Sequence, residues 1–331
     1  MANKRVFYPC EQVGIAPDGT KTFTALKGVQ VVDLNTSFNL EQVFELGQLE
    51  IYENIETLPN VEVTVEKVLD GTPLAYFLAT SGATENTLLS RSDVKSIVGM
   101  SFFSDTSVRS SGTPLHEVVM SGMFVNSLSY SFPVDGNFTE NLSLVGNDMA
   151  WATDSFTFNG QFTDDENAAV DASGVQRRED LDMANSIWPT EIIGIEGNGR
   201  NVEASGSYLV HIQDIEISVD LGREDINEQG RKRPYHRYAT FPVEVTCSIS
   251  TLAAGDLPGH GIDADSESDN NLTDQKIKIV LNDGTAFDLG NRNKLSSVTF
   301  GGGDAGGGNA TITYNYSNWN TLTITGNDVG F

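Results

Sequence analysis

A period of two runs through this chain and limits what it can fold into. In VEVTVEKV (61–68), Val61, Val63 and Val65 fall on one side of an extended backbone, while Glu62, Thr64 and Glu66 fall on the other. Successive side chains of a strand point to opposite faces, so this spacing sorts apolar from polar residues only if the segment is a strand. VNSLSYSFPV (125–134) repeats the pattern, with Leu128, Tyr130 and Phe132 set against serines. IQDIEISVDLG (212–222) sets Ile215, Ile217, Val219 and Leu221 against Asp214, Glu216, Ser218 and Asp220. FPVEVTCSIS (241–250) alternates Phe241, Val243, Val245, Cys247 and Ile249 with Glu244, Thr246 and Ser248. Near the C-terminus, TITYNYS and TLTIT add the threonines and aromatics that strands favour. The fold class read from this is mainly β: antiparallel sheet with one face on a core and one face wet.

Helix signals are few. Thr72-Pro73 ahead of LAYFLAT reads as an N-cap and a first-turn proline, with Gly82 as the stop. Ser90 to Ile97 has the composition of a turn or two of helix. NLEQVFELGQLEIYENIE (39–56) carries Leu40, Val43, Phe44 and Leu46 at helical spacing, but Gly47 interrupts it and LEIYENI alternates like a strand. It is read as a long hairpin or arm between two strands. Residues 162–182 and 257–274 are loops by composition, the second acidic and a natural boundary. Residues 1–256 therefore form the main β domain, and 275–331 a final β segment expected to complete it.

Charge narrows the function. With 46 acidic residues against 20 basic ones, the net charge of −26 repels phosphate backbones and argues against stable binding of DNA or RNA. The N-terminus, MANKRVFYPCEQVG, has no apolar run of the kind a secretory signal needs, and no stretch approaches the roughly 18 apolar residues of a membrane span. GGGDAGGG (301–308) literally matches a dinucleotide fingerprint, but it leads into NATITYNYSNW, a strand. Without a helix N-terminus behind it there is no set of N–H groups to hold a pyrophosphate, so it reads as a connection between two strands.

Other chemistry fares no better. Asp263, Asp265, Glu267, Asp269, Asn271 and Asp274 echo a calcium loop, but Ser268 stands where glycine is needed and Asp274 where glutamate is. His116, His211, His236 and His260 share no metal-ligand spacing with each other or with Cys10 and Cys247. Cys247 reads as a small core residue within its strand. No nucleophile elbow or zinc motif occurs, so no catalysis, cofactor or metal is expected. RKRPYHRY (231–238) is the one basic cluster; in so acidic a chain, Arg231, Lys232, Arg233 and Arg237 read as a patch for an acidic surface on another copy or a partner.

Four stretches together resemble the bacteriophage tail tube proteins: GVQVVDLNTSFNLEQVFELGQLEIYENIETLPNVEVTVEKVLDG (28–71), SYSFPVDGNFTENLSLVGNDMAW (129–151), RPYHRYATFPVEVTCSIS (233–250) and GGGNATITYNYSNWNTLTIT (306–325). They follow in order over most of the chain. The resemblance implies a β-sandwich or half-barrel with one short helix, closing with five further copies into a homohexameric ring. Rings then stack into a hollow tail tube that conducts DNA during ejection. It implies an inter-ring arm at about 35–60, with Phe38, Leu40, Val43, Phe44, Leu46 and Tyr52 as contacts, since such apolar residues need covering. Glu62, Glu66, Asp214, Glu216 and Asp220 become candidate acids of the channel wall. Implied partners are further copies, a tail terminator, baseplate or initiator proteins, and a sheath if the tail contracts. The place implied is the virion tail, after synthesis in the host cytoplasm. The alternative is a capsid-decoration or other virion surface β protein.

Overall fold

The computed structural model describes residues 8–20, 22–105, 114–152, 157–159, 174–189, 192, 211–253, 274–302 and 308–326. The chain opens with β1 (Glu11–Pro17), β2 (Thr22–Ala25) and β3 (Val29–Ser37), then the short β4 (Leu40–Phe44) and β5 (Ile51–Glu56), and β6 (Asn60–Val68). Helices α1 (Ala75–Ala79) and α2 (Leu88–Ser92) precede β7 (Ser96–Phe102), β8 (His116–Ser131), β9 (Thr139–Gly146), β10 (Asp148–Ala152) and β11 (Thr157–Asn159). The second half holds β12 (Ile212–Asp220), β13 (Arg223–Ile226), β14 (His236–Ala239) and β15 (Glu244–Leu252). It closes with β16 (Lys278–Val280), β17 (Ala286–Asp288), β18 (Lys294–Gly301), β19 (Thr311–Trp319) and β20 (Thr323–Thr325).

The long strand β8 organises these elements. Its first half pairs with β7 and β10, its second half with β9 and β12. Between the halves, Gly122 takes φ +64, a conformation glycine adopts without strain, and the register slips between Val125 and Ser127. One strand thereby serves two sheets. The larger runs β3-β6-β9-β8-β12-β15-β19-β18, antiparallel throughout; the smaller runs β11-β2-β1-β7-β8-β10. The larger sheet is open, ending at β3 on one side and β18 on the other.

The alternating apolar residues of the sequence become the core. Val61, Val63, Val65, Leu128, Tyr130, Ile215, Ile217, Val245, Cys247 and Ile249 are all buried on the inner face of the larger sheet. Helix α1 packs Tyr76 and Phe77 onto this face. The small sheet β16-β17-β20 adds Phe287, whose ring lies 4.6 Å from Tyr130 and 5.3 Å from Phe132. The result is a two-layered, mainly β sandwich without a closed barrel. A flank of the glycine run falls as expected, since β18 and β19 pair as antiparallel neighbours; residues 303–307 lie outside the described residues.

The helices depart from expectation in two ways. There are two among the described residues, not one: Thr87 caps α2 by accepting a hydrogen bond from Ser90 N at 3.2 Å. For α1 the expected cap at Thr72 is absent, and Leu74 occupies the N-cap position. The cap comes from far along the chain. The Glu140 carboxylate, fully buried, accepts from Ala75 N at 2.7 Å, Tyr76 N at 3.0 Å and the Tyr130 hydroxyl at 3.1 Å. A helix that starts inside the core cannot leave its first N–H groups to water, so a side chain on β9 supplies the acceptor. Thr72 instead joins Asp70 in holding the buried ammonium of Lys67, which also donates to Lys27 O. The helix stops at Thr80, ahead of Gly82.

Candidate functional site

The outer face of the larger sheet is polar from edge to edge. Directly paired residues of antiparallel strands share a face, so the register reads it off. One rung runs Glu66, Asn141, Ser129, Ser218, Thr246, Ser317 and Lys294. The next runs Thr139, Ser131, Glu216, Ser248, Asn315 and Ser297. On the other side lies Asp33, Thr64, Ser143, Ser127 and Asp220. Hydroxyls and amides bridge the strands: Ser218 to Thr246 at 2.7 Å, Ser250 to Thr313 at 2.8 Å, and Asn315 Nδ2 to Ser297 at 2.9 Å.

The five candidate acids therefore belong to one surface, although β6 and β12 are far apart in sequence and separated by β9 and β8. Glu62 accepts from Ser143 at 3.1 Å, and Glu66 is half-buried beside it on β6. Glu216 and Asp220 are exposed. Partial burial, reinforced by the charge of Glu216, raises the Asp214 carboxyl above its ordinary range. Two acids of this face were missed in the sequence. Asp33 alternates with Val32 and Leu34 on β3, and Glu244 heads β15; the same period of two marks both. The one lysine in these rungs, Lys294, pairs with Asp274 at 2.9 Å.

The arm is a hairpin. β3 and β6 pair from Val29/Lys67 out to Ser37/Asn60, and beyond them β4 and β5 form a separate two-stranded ribbon. Asn39 O accepts from both N and Oγ1 of Thr57, which closes its root. At its tip Gly47 takes φ +94 in a turn bonded from Gln48 N to Glu45 O. The ribbon buries almost nothing: Phe38 is 73% exposed, and Leu46 and Leu49 are 103% and 104% exposed. Leu40, Phe44 and Tyr52 are exposed as well, while Val43 is half-buried. Leu49, Ile51 and Ile55 extend this apolar surface beyond the residues picked from the sequence.

The basic cluster divides. Arg231, Lys232 and Arg233 are exposed in the loop of the hairpin β13–β14. Arg231 lies 3.5 Å from Glu228 and its guanidinium 5.9 Å from the Tyr235 ring, while Arg233 lies 3.1 Å from Asp148. Arg237 is not part of this patch. It is 7% exposed, its Nε is 2.7 Å from Asp225, and its Nη2 donates to Asn60 Oδ1 at the start of β6. Arg223, missed in the sequence, anchors the same hairpin by donating to Val125 O, Ser92 O and Arg237 O. Burial, with the nearby Arg237 charge, brings the Arg223 guanidinium down to about 10. The roots of the arm and of the basic hairpin share a cleft of about 450 Å³, lined by Ser37, Asn39, Thr57, Asp225, Asn227 and Arg237.

Of the other sequence readings, Cys247 is a core residue, and both it and Cys10 are buried and free. His211 stands one residue ahead of β12 rather than within a strand, and His236 Nε2 sits 2.6 Å from Asp93. The acidic loop positions 263–271 and His260 lie outside the described residues.

No family model and no curated protein matches the chain. Among solved structures, it is similar to a chain in the anti-feeding prophage cap, a tube-terminating cap, at TM-score 0.35 and 14% identity over 46% of this chain and 94% of that one. It is similar to a chain in the sheath/tube terminator of the extracellular contractile injection system PVC, at TM-score 0.34 and 13% identity over 46% and 99%. A chain in the extended sheath-tube complex of that system matches at TM-score 0.34 and 12% identity, over 46% and 94%. Likeness this low carries no weight for function.

Proposed function

We propose that this chain is a structural subunit of a phage-type tail, and within it the subunit of the tail tube. Copies join edge to edge into rings of six, residues 275–331 complete the same domain, and the polar face of the larger sheet lines the channel. The observation that carries this reading is the gathering of Glu62, Glu66, Asp214, Glu216 and Asp220 on one face of one open sheet, among hydroxyls and amides. A wall of this kind repels phosphates and offers no apolar or basic foothold, which suits a conduit that DNA must cross without stopping.

The open edges β3 and β18 fit the same reading, because an unpaired strand edge is a hazard that ring closure removes. The exposed apolar arm fits it too, since stacking against a neighbouring ring covers what is otherwise a large liability. A decoration protein needs only one capsid-facing patch, and the arm and the two free edges favour self-assembly over it. Sheath, terminator and baseplate proteins are the proposed partners of the outer surface and tube ends.

The reading is tested by Glu62→Lys/Glu66→Lys in assembled particles. DNA passage slows while tubes still assemble if these side chains face the channel. Unchanged ejection kinetics places them on an outer face instead.

A further inference from the structure

Two projections of opposite character leave the fold beside one another. Between Lys27 and Lys67 the chain contains neither lysine nor arginine, while the ribbon carries Glu41, Glu45, Glu50, Glu53 and Glu56 among its apolar residues. The β13–β14 hairpin presents Arg231, Lys232 and Arg233 with the exposed rings of Tyr235 and Tyr238. The arm does not use this surface within its own chain, since its tip residues Leu46 and Leu49 are fully exposed. We propose that the acidic, apolar arm of one copy docks on the basic, tyrosine-bearing hairpin of a second copy of this chain. The proposal rests on the reading of the chain as a self-assembling subunit and names the partner of the arm.

Charge and shape both support the match. Glutamates interspersed with leucine, isoleucine and tyrosine meet guanidinium groups interspersed with tyrosine rings, which supply flat apolar contact as well as hydrogen bonding. The pairs that Arg231 and Arg233 make at home, with Glu228 and Asp148, are solvent-exposed and weak enough to exchange. The receiving hairpin is rigid at its base, because Arg223 and Arg237 tie it to β8, α2 and β6. Pre-organisation of that kind lowers the entropy lost on docking.

The position of the roots also sets the direction of the contact. Ser37, Asn39 and Thr57 of the arm share one cleft with Asp225, Asn227 and Arg237 of the hairpin. Both therefore leave the molecule at the same end. Copies related by rotation about a common axis bring one arm to the level of the next copy's hairpin, whereas copies stacked head to tail do not. The contact is lateral, between neighbours of one ring.

A charge exchange in the full-length chain tests this. One variant carries Glu45→Lys, Glu50→Lys and Glu53→Lys; the other carries Arg231→Glu, Lys232→Glu and Arg233→Glu. Sedimentation velocity at low salt reads the association. Each variant alone is expected to associate at least roughly tenfold more weakly than wild type, because like charges then face each other. The equimolar mixture recovers association, since each arm again meets a hairpin of opposite charge, and this recovery shows that both variants are folded. Variants that associate as wild type does, a mixture without recovery, or a wild-type chain that stays monomeric each overturn the pairing. Electron microscopy of the same samples separates the two claims. Rings and tubes indifferent to the exchange sink the pairing and leave the tube standing, while charge-rescued complexes that never close into rings do the reverse.

Discussion

Glu140 offers the sharpest test of how this fold is held. Its carboxylate is the only acceptor shown for three interior donors: Ala75 N at 2.7 Å, Tyr76 N at 3.0 Å and the Tyr130 hydroxyl at 3.1 Å. Glu140→Ala leaves all three without a partner in the core. Each such loss costs about 1–3 kcal/mol, and removing the buried carboxyl returns part of that, so the net destabilisation is about 3–5 kcal/mol. Glu140→Gln keeps one oxygen and sets its amide against one helix N–H, which costs about 1–3 kcal/mol. Urea unfolding of the unassembled chain reads both as a lower midpoint at an unchanged slope. Acidity adds a signature. Burial raises the Glu140 carboxyl above its ordinary 4.5, against the hydrogen bonds from Tyr76 and Ala75 and the charge of Lys67. A raised carboxyl stabilises the fold most below 4.5, and that contribution is lost as pH rises through the folded value. Glutamine has no such dependence, so its deficit relative to wild type shrinks as pH rises across this window. Two variants within about 0.5 kcal/mol of wild type would refute the cap.

The buried ammonium of Lys67 depends on Asp70 2.8 Å away, so Asp70→Asn is expected to cost about 3–5 kcal/mol in the same assay. Burial pushes the Asp70 carboxyl up, but the charge of Lys67 and the hydrogen bonds from Lys67 and Thr72 outweigh it and hold it below 3.8. The pair therefore contributes fully above that value and is lost as pH falls through the folded one; an unchanged acid limb in the asparagine variant would contradict it. In the arm, Phe38→Ser/Val43→Ser/Phe44→Ser is expected to leave the circular dichroism of the β fold intact and to stop tube growth, and tubes of normal length from this variant would remove the arm from the interface.

What the sequence makes legible follows from range. Strands with one wet face announce themselves by alternation, so Val61 to Glu66 and Asp214 to Leu221 were assigned to their faces without reference to anything else in the chain. The arm was legible for a similar reason: Gly47 and the alternation of LEIYENI break the helical stripe of Leu40 to Leu46. The cap of α1 was not legible, because Glu140 lies 65 residues from Ala75 and nothing near Thr72 signals it. Nor was the union of two acidic strand faces, since β6 and β12 share a surface only through the order β6-β9-β8-β12, which non-local pairing sets. Arg237 shows a further limit. It sits in one basic run with Arg231 and Arg233, yet strand pairing turns it inward to Asp225 while the loop turns the others out.

The central claim is that copies of this chain close around a channel lined by the polar face of the larger sheet. Cryo-electron microscopy of the purified full-length protein at high concentration tests it most directly. The account predicts sixfold rings or hollow tubes with Glu66, Glu216 and Asp220 facing the lumen. Assemblies that turn this face outward, or a chain that joins other surfaces without ever enclosing a channel, would contradict it.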